Sequence, residues 1–264
     1  MTPEEFRKYG HAVIDWIADY RARVEARPVM SQAEPGQVKA SLPPHPPEDP
    51  ESFDAILRDL DSVVMPGITH WQHPRFFGYF PSNGSLGSVL GDYVSTGLGV
   101  IGLAWQASPA LSELEEVATG WLRQMVGLSP AWDGVIQDTA STSTLLALLC
   151  ARERRTNYGL VRGGLQAELK PLIVYISAQA HSSVEKAALL AGFGRENVRL
   201  VACDARYGMR SDALAAAIAE DGAAGRVPCA VVATTGTTTT TAIDPVAEIA
   251  RVVAGTGTWL HVDA

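Results

Sequence analysis

Lysine is scarce in this chain: Lys8, Lys39, Lys170 and Lys186 are the only four in 264 residues, and arginine supplies most of the positive charge. Cysteine is scarcer still. Cys150, Cys203 and Cys229 are odd in number, sit in apolar surroundings and show neither CxxC nor His spacing, so a disulfide framework and a metal site are not indicated and three buried, reduced thiols are expected. With 21 basic against 29 acidic side chains, a net charge of -8 and no basic cluster, the chain has no footprint for nucleic acid. No apolar run approaches the roughly 20 residues of a membrane helix. The start, MTPEEFRKYG, reads as a charged helix rather than a leader, so no membrane partner and a cytoplasmic location are expected. A GxGxxG turn, a P-loop and a repeat of fixed period are also missing.

Apolar residues are plentiful, at 47%, enough for a substantial core. Thr2, Pro3 and Glu5 spell a capping box with proline at the first helical position. Phe6, Val13, Ile14, Ile17 and Val24 then repeat at helical spacing, which predicts an amphipathic helix to about Arg27. Residues 41–50, SLPPHPPEDP, carry too much proline for helix or central strand and read as an extended connector. Phe53, Ile56, Leu57, Leu60, Val63 and Val64 mark a second helix. Neither helix has a sheet beside it in sequence to receive its apolar stripe, so the two either fold back on a later domain or cover another subunit. The proline-rich connector between them favours the second, an arm, residues 1–80, in a dimer interface. Residues 71–105 gather aromatics, glycines and a proline into one irregular segment, readable as a pocket wall or as an aromatic core loop. Ser108 and Pro109 open a further helix that Gly127 closes.

From Gly134 onward, short apolar runs alternate with helical stretches: GVIQD, LIVYIS at 172–177, VRLVA at 198–202, CAVVAT at 229–234 and WLHVD at the end, with helices between them. That alternation predicts an α/β domain, residues 81–264, with a mostly parallel sheet. Such sheets keep ligands at the carboxyl ends of their strands. GVIQD is followed by a hydroxyl-rich turn, residues 139–144, readable as an ordinary N-cap or as a phosphate site. LIVYIS is followed by His181, which is a structural residue or a site residue. CAVVAT is followed by a threonine run, either low complexity or a loop whose hydroxyls meet a ligand. The last strand delivers Asp263, which is a helix cap or a functional carboxylate. A phosphate turn, an imidazole and a carboxylate on successive strand ends suit a flat cationic heterocycle with one phosphate, and pyridoxal 5'-phosphate is such a molecule.

Over essentially its whole length the chain resembles the group II pyridoxal-phosphate-dependent decarboxylases, in particular the aromatic-L-amino-acid decarboxylase subgroup. The resemblance is carried by EFRKYGHAVIDWIADY, VMPGITHWQHPRFFGYFPS, IGLAWQASPALSELE, GVIQDTAS, AHSSVEKAALLAG, VATTGTTTTTAIDP and WLHVDA, in that order. It implies the fold-type-I, aspartate-aminotransferase-like large domain, with an N-terminal helical arm embracing the other subunit of a homodimer. It assigns the cofactor phosphate to Ala140 and Ser141, the ring face to His181, a place beside the cofactor to Thr238, and the pyridine nitrogen to Asp263. Trp71, Tyr79, Phe80, Pro81 and Ser82, with His181, match the family's substrate-pocket residues, and Ile101 and Leu103 match residues reaching the pocket from the neighbouring subunit. The implied reaction is decarboxylation of an aromatic L-amino acid (Trp, Tyr, Phe or DOPA) to the arylalkylamine and carbon dioxide. An aromatic aldehyde synthase, which shares these motifs, and an inactive dimerisation or cofactor-holding fragment are the alternatives. Two departures stand out. Asp138 and Thr142 occupy the phosphate turn where animal relatives tend to have glycine and glutamate. The family's cofactor-binding lysine lies beyond its HVDA strand and matches none of the four here, so this chain is expected to be the N-terminal portion of the enzyme.

Overall fold

Thr2 starts the first helix, α1 (Pro3–Arg23): its Oγ1 accepts the Glu5 N–H at 3.2 Å, and its own N–H donates to the Glu5 carboxylate at 2.8 Å. The computed structural model describes residues 1–80 and 84–264, which fall into two units, Met1–Gly99 and Val100–Ala264. In the first unit α1 passes into a 3-10 turn, Val24–Ala26, so the α-helix stops short of Arg27. A single short turn, α2 (Gln37–Ala40), precedes the proline-rich connector, and α3 (Phe53–Asp59) continues into a π turn at Leu60–Val64. The last helix of the unit is α4 (Leu86–Leu98), capped by Ser85 and closed by left-handed Gly99. A polar latch ties the unit together. The Tyr20 hydroxyl lies 2.9 Å from His70 Nδ1, and the His70 N–H donates to the Val29 carbonyl at 2.8 Å. Burial, then Arg27, then His73 hold the His70 imidazole below its ordinary pKa.

The second unit begins with α5 (Pro109–Met125) and α6 (Ala140–Arg155), followed by β1 (Leu172–Ser177), α7 (Ser182–Leu190), β2 (Val198–Val201), α8 (Ser211–Ala223), β3 (Val227–Thr234), α9 (Val246–Val253) and β4 (Trp259–Asp263). The three strand pairings of this sheet are parallel and the strand order is β2-β1-β3-β4. Every residue of β1 is buried, as expected of a parallel strand covered on both faces. On one face Leu148 and Ala151 of α6 and Val184, Ala187 and Ala188 of α7 pack against Val174, Ile176 and Val232. On the other, Leu214 and Ala217 of α8 and Ile249 and Val253 of α9 pack against Ile173, Tyr175 and Val231. The second face also holds a buried carboxylate. Asp221 takes the Tyr175 hydroxyl at 2.7 Å, Arg199 at 2.6 Å and Arg226 at 2.5 Å, and burial together with this bond raises the Tyr175 pKa.

Two expectations fail. GVIQD is not a strand: among the described residues nothing pairs with it, Val135 and Ile136 are exposed, and the Ile136 N–H is taken by the Glu115 carboxylate at 2.7 Å. An apolar run becomes a strand only when a neighbour accepts its hydrogen bonds. Nor are all three thiols buried. Cys229 is, with its pKa raised to about 12 chiefly by burial, but Cys203 is half-buried and Cys150 is exposed, because it lies off the buried stripe Thr144, Leu148, Ala151 of α6.

Candidate functional site

The strand order reverses direction between β1 and β3, since β2 lies outside β1 and β4 outside β3. Loops leaving adjacent strands toward opposite sides open a crevice at their carboxyl ends, the usual place for a ligand in such a sheet. The loop after β1 carries His181 into the N-cap of α7, where its Nδ1 accepts the Ser183 N–H at 3.3 Å and lies 2.7 Å from the Ser183 hydroxyl. The loop after β3 carries the threonine run. Thr237 and Thr240 hydroxyls bond each other at 2.7 Å, Thr237 Oγ1 also accepts the Ala242 N–H at 2.9 Å, and Thr238 stays half-buried between them. The Thr240 hydroxyl donates to Gln179 at 3.4 Å and so links the two loops across the crevice. Asp244, fully buried, accepts the N–H groups of Thr234 at 2.7 Å and Met209 at 2.6 Å, which fixes the end of β3.

Thr139 is indeed an N-cap: its Oγ1 accepts the Thr142 N–H at 3.2 Å and opens α6. Ala140 and Ser141 are therefore the first two helical residues, whose N–H groups have no acceptor within the helix and carry the positive end of its dipole. A cleft of about 280 Å³ joins this helix start to that of α7, lined by Ser141, Thr142 and Leu145 on one side and His181, Ser183 and Lys186 on the other. The structure thus brings two of the sequence-derived residues, Ser141 and His181, to one cleft. Asp263 ends β4, paired in register with Thr234, and its carbonyl accepts the Thr235 N–H at 2.8 Å.

Two further polar groups beside Asp263 escaped the sequence reading. Thr234 Oγ1 and His261 Nε2 are buried and have no hydrogen-bond partner among the described residues. Burial lowers the His261 pKa, and the neighbouring Asp263 carboxylate works against that shift. The strand alternation of WLHVD was a signal for His261 sharing a face with Asp263; nothing in sequence marked Thr234.

In the first unit Trp71 stacks on Phe76 and Tyr79 at ring-centroid distances of 4.8 and 6.4 Å. These rings are not a core loop: Trp71, Tyr79 and Phe80 are 41%, 75% and 55% exposed. Pro81 and Ser82 lie outside the described residues. Ile101 and Leu103, in the second unit, are both exposed.

The family model described as the pyridoxal-dependent decarboxylase conserved domain matches residues 35–264. The chain belongs to this decarboxylase family. Phenylacetaldehyde synthase of Arabidopsis thaliana is 39% identical over the whole chain, which covers 54% of that protein. Aromatic-L-amino-acid decarboxylase of Bos taurus is 41% identical, again over the whole chain and 56% of its own length. The structure of Oryza sativa TDC with PLP and tryptamine superposes with a TM-score of 0.94 at 38% identity, covering the whole chain and 55% of that one. The chain spans about half the length of the curated relatives it matches. The decarboxylase family uses pyridoxal phosphate, and the residues present suit it: free helix N–H groups for a phosphate, an imidazole at the adjoining helix start, and a strand-end carboxylate with two unpaired polar atoms beside it.

Proposed function

We propose that the full-length protein decarboxylates aromatic L-amino acids (Trp, Tyr, Phe or DOPA) to arylalkylamines and carbon dioxide, with pyridoxal phosphate as cofactor. The observation that carries this reading is the shared cleft of Ser141 and His181 at the carboxyl end of a sheet whose last strand ends in Asp263, in a chain of this family. The cofactor's chemistry is that of an electron sink for the pair left at Cα when carbon dioxide departs. Ala140 and Ser141 would hold its phosphate on the N–H groups of α6. Asp263 would hold a proton at the pyridine nitrogen, since a carboxylate there favours the charged form. His181 would hold the face of the cofactor ring, with Thr238 beside it. Trp71, Tyr79, Phe80, Pro81 and Ser82 contact the substrate, whose aromatic side chain suits an aromatic, uncharged wall.

The protein acts as a homodimer with its site at the subunit interface, residues 1–80 forming an arm around the partner, residues 81–264 the cofactor-binding domain, and Ile101 and Leu103 reaching the partner's pocket. The exposed apolar faces of α4 and α5 support this, since surfaces such as Leu90, Val94, Trp121 and Met125 are normally covered. No helix among the described residues is long and apolar enough to cross a membrane, which is consistent with a cytoplasmic enzyme. The test is carbon dioxide release from L-tryptophan, L-tyrosine, L-phenylalanine and L-DOPA by the full-length protein with added cofactor; no release from any of them ends this reading. The similarity to a phenylacetaldehyde synthase supports a second reading, an aromatic aldehyde synthase, which ammonia and peroxide production in the same assay would reveal.

A further inference from the structure

Among the described residues, only Arg226 Nε, Thr234 Oγ1 and His261 Nε2 are buried side-chain polar atoms without a hydrogen-bond partner, and two of these three stand next to Asp263. Thr234 is the register partner of Asp263 across β3 and β4, and His261 precedes Asp263 by two positions. Alternation along the strands puts all three side chains on the face occupied by Val232 and Trp259, the face that α6 and α7 cover. Thr234 is 4% exposed, and its backbone is already fixed by both hydrogen bonds to Asp244. Its hydroxyl therefore contributes nothing to the fold that the similarly shaped valine would not, and a buried hydroxyl without a partner is unfavourable. Native proteins keep few such groups, and a pair of them beside one carboxylate calls for a use.

We infer that Thr234 and His261 are positioning residues for Asp263. The Thr234 O–H and a His261 ring N–H donate to one carboxylate oxygen when the cofactor is bound, and so leave the other free to meet the pyridine nitrogen. A carboxylate has lone pairs for both donors and for the ring, and charge-assisted bonds of this kind fix orientation more firmly than neutral ones. This inference rests on the proposed role of Asp263 and adds two residues that do not touch the cofactor themselves.

The test titrates pyridoxal phosphate into full-length apoprotein, wild type, Thr234→Val and Thr234→Ser, by absorbance, and records the melting temperature of each apoprotein. Thr234→Val is expected to bind about tenfold more weakly while its apoprotein melts at the same temperature or higher, because one charge-assisted bond is lost and an unpaired hydroxyl is removed. Thr234→Ser, which restores the donor, is expected to bind as wild type does. His261→Leu should weaken binding in the same direction. Wild-type affinity in Thr234→Val overturns the inference. So does a lower melting temperature of its apoprotein, since the hydroxyl would then be a structural partner. A wild-type protein that takes up no pyridoxal phosphate overturns the assignment of Asp263 itself and this inference with it.

Discussion

Met1–Gly99 and Val100–Ala264 are built on different principles. Among its described residues the first unit buries only Val24 and Met65 of its apolar side chains and relies on a polar latch of Tyr20, His70 and the Val29 carbonyl. The second unit packs helices on both faces of a parallel sheet and has two apolar clusters. Both units are rich in apolar residues at helical spacing. What separates them is the presence of a second layer: a stripe on a helix contributes to stability only when another surface removes it from water. An amphipathic helix therefore identifies its own inner face without naming what covers it.

The largest expected effect tests that difference directly. Leu148→Ala, at a fully buried position of α6, should destabilise the second unit by about 2–5 kcal/mol in a urea melt. Leu98→Ala, at a position of α4 that is 69% exposed, should cost no more than about 0.5 kcal/mol. An equal cost at the two positions would place Leu98 inside the dimer interface proposed for the face that carries Leu90 and Val94. Next comes acid. His70 has a lowered pKa in the folded unit, so its contribution is present above its ordinary value of 6.5 and is lost as pH falls through the folded value. Hydrogen exchange resolved by peptide should therefore show the segment around His70 loosening between pH 7 and pH 5, and His70→Asn should remove that dependence. If the segment exchanges equally at both pH values, the latch is not what holds the first unit. The smallest effect is at the amino terminus. Thr2→Ala removes the capping box and should cost about 1 kcal/mol, seen as faster exchange in the first turns of α1 alone.

Much of the second unit was legible beforehand. LIVYIS, bounded by Pro171 and a turn, forms β1 over the six residues expected, and WLHVD forms β4. Apolar runs of that length with helices between them leave few alternatives to a parallel sheet. His181 at a helix start was legible too, because the change from strand to helix occurs at that residue. GVIQD looked no different from the runs that became strands, yet lacks a partner among the described residues. The aromatic segment was ambiguous for a related reason: composition reports that rings are near one another in sequence, not whether water reaches them. Trp71, Tyr79 and Phe80 are open to water. Cys150 misled because apolar neighbours in a helix lie on all sides of it, and only some of those sides face the sheet.

By itself the sequence determined the helix starts, the apolar runs and the order in which a hydroxyl-rich turn, an imidazole and a carboxylate follow one another. Caps and runs depend on contacts within a few residues, so local chemistry decides them. Tertiary structure alone decided that Ser141 and His181 share one cleft, that Thr234 stands opposite Asp263, and that two polar atoms beside that carboxylate are buried without partners among the described residues. Register and burial are properties of pairs of segments far apart in the chain, and they exist only once the strands lie side by side.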